Sequence, residues 1–238
     1  MRTLVISDIH GCFDEFNDLL KLVKYVPNQD RLILLGDYVD RGPKSKEVIQ
    51  KIIELAEYEN VIVLRGNHDD RFLRVLNWDS SVYDVFMEYG GKEALQSYCP
   101  DAENMSINET IQFINQKYHD HIDFLQQTKL YFEDDDFIYV HAGLDPAYLN
   151  WKDQPPSTFF TIRDGFVNNK TNVDRKVIFG HIITNKIHKS ANIWFSNDKI
   201  GIDGGCAMGH QLNCLEIVDS DTLNEYYVES RKFIEVKK

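Results

Sequence analysis

A chain of 238 residues with 43% apolar and 27% charged side chains has material for one sizeable core, which excludes wholesale disorder and a disulfide-framed miniature fold. Its 38 acidic against 26 basic side chains give a net charge of -12, a surface that repels nucleic-acid backbones and anionic membranes. No stretch approaches the roughly 20 apolar residues that span a bilayer.

The opening, Met1-Arg2-Thr3-Leu4-Val5-Ile6, reads as a strand running into polar residues rather than as a signal peptide, so a cytoplasmic location is expected. Ser7-Asp8-Ile9-His10-Gly11 follows it, then Phe13, Phe16, Leu19, Leu20 and Val23 recur at helical spacing. Leu32–Leu35 is the second strand and ends in Gly36-Asp37-Tyr38-Val39-Asp40-Arg41-Gly42-Pro43. Val48, Ile49, Ile52, Ile53 and Leu55-Ala56 form the apolar face of a second helix. Val61–Leu64 is the third strand, leading into Arg65-Gly66-Asn67-His68-Asp69. Strands apolar throughout and alternating with helices predict a parallel, doubly covered sheet, with ligands beyond the strands' carboxyl ends.

The pattern changes over residues 78–128, where polar and aromatic residues recur at helical spacing and no strand stands out. This is read as a helical insertion over or beside the site, with ordinary surface helices as the alternative. Leu130–Phe132 and Phe137–Val140 then flank Glu133–Asp136 as a hairpin, and Val177–Phe179 leads into Gly180-His181. Runs at Ile193–Phe195, Ile200–Ile202, Leu212–Val218 and Tyr226–Val228 predict a second, largely antiparallel sheet. The whole chain, 1–238, is expected to form one α/β domain. Cys12, Cys99, Cys206 and Cys214 lack C-x-x-C spacing and are expected as reduced, partly buried thiols. His119, His121, His188 and His210 fall in no ligand pattern and are expected at the surface or partly packed.

Each loop taken singly has an ordinary explanation: Asp8 could cap a helix, His10 pack, and Asp40-Arg41 form a surface ion pair. Together, five strand ends present Asp8 with His10, Asp37, Asn67 with His68, His141, and His181. This oxygen and imidazole set without thiolates suits manganese, iron or zinc. Asp37, in the central loop, can bridge two ions.

As an ordered set from Thr3 to about Leu215, these loops resemble the phosphoprotein phosphatases of the calcineurin-like metallophosphoesterase superfamily, including their bacterial and phage members. His141-Ala142-Gly143 completes the likeness. The resemblance implies a sandwich of two mixed β-sheets flanked by helices. It implies one divalent ion on Asp8, His10 and Asp37 and a second on Asp37, Asn67, His141 and His181, manganese first among the candidates. A hydroxide between the ions would attack phosphorus directly and in line. Arg41 and Arg65 would grip phosphate oxygens, and His68, oriented by Asp40, would protonate the leaving group. Arg163 resembles a further phosphate-gripping arginine, with a salt bridge to a carboxylate as the alternative. Ser7, Ile182 and Gly204 depart from the pattern, the first harmlessly and the other two at the cost of a supporting hydroxyl.

The expected activity is hydrolysis of a phosphomonoester, with a serine/threonine phosphoprotein or a small phosphoester as partner. Two converging arginines suit a terminal phosphate. The alternative within enzymes is symmetrical hydrolysis of diadenosine tetraphosphate, whose pattern typically has alanine at Asp40 and leucine at Arg65. A non-catalytic scaffold of the same fold is the remaining reading, and the intact ligand set argues against it.

Overall fold

In the computed structural model, which describes residues 1–231, β1 (Thr3–Ile6) is buried along its length and α1 (Phe13–Leu22) follows it. Next come β2 (Arg31–Leu34), α2 (Ser45–Ala56), β3 (Val61–Val63) and α3 (Asn67–Leu76). The 78–128 segment carries α4 (Tyr83–Glu88), α5 (Gly91–Tyr98), α6 (Ile107–Lys117) and α7 (His119–Gln126). At the start of α6, the Ser106 hydroxyl accepts the Glu109 N–H and the Glu109 carboxylate accepts the Ser106 N–H, satisfying donors the helix itself leaves open. The chain continues through β4 (Tyr131–Glu133), β5 (Phe137–Val140), α8 (Thr158–Thr161), α9 (Asp164–Val167), β6 (Lys176–Phe179) and α10 (Thr184–His188). The last described strands are β7 (Trp194–Phe195), β8 (Lys199–Gly201), β9 (Gln211–Ile217) and β10 (Leu223–Glu229).

Ten strands form two mixed sheets, ordered β10-β9-β1-β2-β3 and β4-β5-β6-β8-β7. The strands explain the layering by their period of two. Val5, Ile33, Tyr139, Ile178 and Ile200 turn inward to a shared core between the sheets. Leu4, Ile6, Leu32 and Leu34 turn outward to α1, α2 and α3, and Ile138, Val140, Val177 and Phe179 outward to Phe159 and Phe166. Both faces of each sheet are thus covered.

Three expectations need correction. The second sheet is parallel at its centre, β5 to β6 and β6 to β8, with antiparallel pairs only at its edges. The last two strands leave it, and β9 pairs antiparallel with β1, extending the first sheet. The reason is burial: Leu212 to Ile217 are all buried, and the free side of β1 is the slot that covers them. His121 is the second correction. It is buried in the insertion, hydrogen-bonded to Tyr98 Oη at 3.0 Å and Gln50 Oε1 at 3.1 Å, a satisfied core histidine. The four cysteines are free and buried rather than partly so. Among the described residues, no helix is long and apolar enough to cross a membrane.

Candidate active site

The loops after β1, β2, β3, β5 and β6 meet at one end of the sandwich. Backbone bonds lace them together: Asp8 N–H to Gly36 O at 3.0 Å, His10 N–H to Asp37 O at 2.9 Å and Gly180 N–H to His141 O at 2.8 Å. Such close lacing holds the chain in left-handed backbone that non-glycine residues avoid. Of ten non-glycine residues with positive φ among the described residues, six are Asp8, His10, Asp37, Asp40, Arg41 and His181. Each costs on the order of 1–3 kcal/mol, which the surrounding fold must supply. Gly180 serves by absence: a Cβ there would run into Ser7 Oγ and Asp8 Oδ2.

The six expected ligands converge. His10, Asp37 and His68 offer ligand atoms within 4.8 Å of one another, and so do Asp37, His141 and His181. Asp37 belongs to both groups. Its Oδ2 lies 3.5 Å from His10 Nε2 and 3.4 Å from His141 Nε2. Asn67 Oδ1 is 3.3 Å from His141 Nε2, and Asp8 Oδ1 is 4.0 Å from His10 Nε2. The other carboxylate oxygens are occupied. Asp8 Oδ2 accepts Ser7 Oγ–H at 2.5 Å and the His181 N–H at 2.9 Å, while Asp37 Oδ1 accepts the His68 N–H at 2.9 Å. Ser7, expected to be merely harmless, therefore orients the Asp8 carboxylate.

The residues fit divalent cations on two grounds. His10 donates through Nδ1 to Val39 O at 2.8 Å, which leaves its Nε2 lone pair facing Asp37. That Nε2 and His181 Nε2 are buried without a hydrogen-bond partner, an expensive state unless a cation takes the lone pair. The charges agree. Burial would raise the Asp37 carboxyl, but His141, His68 and His10 outweigh it and hold it well below the carboxylate range. Burial drives His10 and His181 well below the usual imidazole range, so both stay neutral. Burial alone would lower His141 too, yet Asp37 raises it to about 9, and burial lifts Asp8 to about 6. In the cation-free protein a proton on His141 stands where positive charge belongs.

His68 and Asp40 form a separate pair beside this floor. His68 Nδ1 donates to Asp40 Oδ2 at 2.6 Å, and Arg41 Nη2 donates to His68 Nε2 at 3.0 Å. Guanidinium can only donate, so His68 is here the neutral Nδ1–H tautomer. Burial first, then Arg41 and Arg71, lowers the ring to about 3, while burial raises Asp40 well above the carboxylate range.

The two remaining arginines sit elsewhere. Arg65 Nη2 donates to Leu125 O at 3.0 Å and Gln126 O at 2.6 Å, and its Nε to Thr128 Oγ1 at 3.1 Å, which ties the end of α7 to the β3 loop. Its guanidinium is thereby engaged by the end of α7. Arg163 is exposed at the head of α9 with no ion pair among the described residues, and its charge reaches His181. Sequence reasoning gave no role to Asp69, which is fully buried and accepts N–H groups of Asp37, Tyr38 and Gly66 at 2.8 to 2.9 Å. The available signal was an acid at the third position of α3, where a side chain reaches back to the helix start. Nor did it find Gly90, whose carbonyl accepts the Arg41 N–H at 3.0 Å, or Tyr89, whose ring lies 6.4 Å from that of His68.

The sequence profile described as "Calcineurin-like phosphoesterase" matches residues 1–201. The chain belongs to that family. A calcineurin-like phosphoesterase is a metal-dependent hydrolase. The chain is 25% identical over 245 residues to an asymmetrical bis(5'-nucleosyl)-tetraphosphatase, PrpE, of Anoxybacillus flavithermus, covering 92% of each chain. It is 32% identical over 148 residues to the symmetrical enzyme of Vibrio campbellii, covering 62% of this chain and 47% of that protein. The chain spans about half the length of the symmetrical enzymes it matches. Among solved structures, one provisionally named a diadenosine tetraphosphatase aligns with a TM-score of 0.68 at 21% identity, over 96% of this chain and 93% of that one. A protein serine/threonine phosphatase of Saccharomyces cerevisiae aligns with a TM-score of 0.64 at 16% identity, over 97% and 80%. At such identities the likeness is one of fold.

Proposed function

We propose that this phosphoesterase hydrolyses dinucleoside tetraphosphates at a dinuclear centre. The observation that carries the reading is that a relative named for this substrate class matches along nearly the whole chain. The arginines support it. Sequence reasoning favoured a terminal phosphate because Arg41 and Arg65 would converge on it, whereas Arg65 is committed to α7.

Asp8, His10 and Asp37 would hold one ion, and Asp37, Asn67, His141 and His181 the other. Bound, the ions supply Lewis acidity and a nucleophile available at neutral pH. The chain's own residues do the rest. Ser7 and the His181 N–H fix Asp8, and Asp69 fixes the backbone that carries Asp37. Arg41 leaves His68 Nε2 for a phosphate oxygen, a stronger acceptor. Its departure removes a cation that opposes protonation of His68. The ring, held by Asp40 through Nδ1, can then carry a proton at Nε2 and deliver it to the leaving phosphate.

The rival reading, a protein serine/threonine phosphatase, draws on the Asp40–His68 contact at 2.6 Å, since the symmetrical tetraphosphatase pattern typically has alanine at that position. Turnover of diadenosine tetraphosphate, a phosphopeptide and p-nitrophenyl phosphate by Mn²⁺-loaded protein separates the two. The expected kcat/KM for the dinucleotide exceeds the others by at least about tenfold, roughly 1.4 kcal/mol of transition-state preference. A phosphopeptide preferred by that margin would overturn the proposal.

A further inference from the structure

Away from the histidine-rich floor, one more group of metal-ligating side chains is buried together. The thiols of Cys12 and Cys206 and a carboxylate oxygen of Glu15 lie within 4.8 Å of one another. Their residues are 8%, 1% and 7% exposed. Cys12 caps the head of α1, Glu15 stands in its first turn, and Cys206 opens the short 3-10 turn Cys206–Met208 before β9. The cluster thus joins the loop that carries His10 to the turn that follows Asp203. A cavity of about 310 Å³, bordered by Cys12, Glu15 and Arg231, reaches it from the surface.

We propose that Cys12, Glu15 and Cys206 form a separate binding site for a soft divalent cation of the zinc type, with one coordination position open toward that cavity. The donor chemistry decides the class. Two sulfurs and one carboxylate select a thiophilic ion, whereas the floor around Asp37 offers only oxygen and imidazole. The carboxylate is positioned for the task, with Glu15 Oε1 fixed by the Arg231 N–H at 2.8 Å. The Cys206 thiol is raised far above its ordinary value by its hydrogen bond to Cys12, by burial and by the charges of Cys12 and Glu15. A cation reverses that penalty by drawing all three negative donors together. The inference does not depend on which phosphoester the enzyme cleaves.

The test uses the full chain, first loaded with Mn²⁺ and then titrated with Co²⁺. Only a thiolate ligand gives the near-ultraviolet sulfur-to-cobalt charge-transfer band, and the catalytic floor has none. The band is expected in the wild type, saturating at one equivalent and bleached by Zn²⁺. It should vanish in Cys206→Ser and persist in His141→Ala, which disturbs only the floor. Glu15→Gln should weaken Zn²⁺ binding by about ten- to a hundredfold. Absence of the band from wild-type protein would overturn the proposal without reference to any variant. So would its persistence in Cys206→Ser, or a Cys12–Cys206 disulfide that forms equally with and without Zn²⁺.

Discussion

At the residue scale, the two oxygens of a buried carboxylate have different duties. Asp37 gives Oδ1 to the His68 backbone and keeps Oδ2 for the two imidazoles. His68 faces Asp40 and Arg41, although it also lies close enough to His10 and Asp37 to act as a ligand. The two roles differ in outcome. His68→Ala should lower turnover by about 10² to 10⁴-fold, the usual worth of a general acid, while metal content measured by emission spectroscopy stays unchanged. Loss of an ion from that variant would make His68 a ligand instead. Protonation gives a second prediction. His141 is raised to about 9 in the cation-free protein, so at pH 7 it is charged and must lose its proton to bind a metal. Loading Mn²⁺ at pH 7 should therefore release close to one proton per chain, seen by calorimetry in buffers of different ionisation enthalpy. Above about pH 9 the release should fade. Asp8, raised to about 6, adds its own proton below that pH, so affinity should fall as the solution is acidified. The sign for stability is the same for both groups. A raised value in the folded state supports the cation-free fold at low pH and loses that support as pH climbs through about 6 for Asp8 and about 9 for His141.

At the scale of elements, what the sequence made legible was local. Apolar runs at Leu4–Ile6 and Leu32–Leu34 end in polar loops, and those loops carry candidate ligands found together in space. Partner choice between distant strands was not legible. A run such as Leu212–Ile217 is buried on both faces wherever it lies, and only the vacant side of β1 tells it where to go. Side-chain direction was equally hidden. Arg65 stands beside a ligand loop, yet its hydrogen bonds run to carbonyls at the end of α7, a helix whose docking no local pattern reveals. Arg65→Ala should therefore act on stability, lowering it by about 1–3 kcal/mol through lost charge-assisted hydrogen bonds to part-buried acceptors, with kcat/KM changed by less than about threefold. Thermal unfolding and steady-state kinetics on one preparation check this. A large loss of kcat/KM with unaltered unfolding would return Arg65 to the phosphate.

At the scale of the molecule, two covered sheets provide a rigid frame, and the loops at one end of it bear the strain that function needs. A net charge of -12 would by itself repel a polyphosphate. Productive binding then depends on positive charge confined to one place: the ions, Arg41 and the exposed Arg163, whose charge reaches His181. The insertion contributes by reaching that place, since Gly90 O holds the Arg41 backbone and Tyr89 stands beside His68. Everything proposed for catalysis rests on one carboxylate serving two cation positions. The direct measurement is Mn²⁺ bound per chain after stripping and reloading, in wild type, His181→Ala and Asp37→Ala. The values expected are two, one and none. A single ion in the wild type, or an Asp37→Ala protein that still holds two, would contradict the shared site.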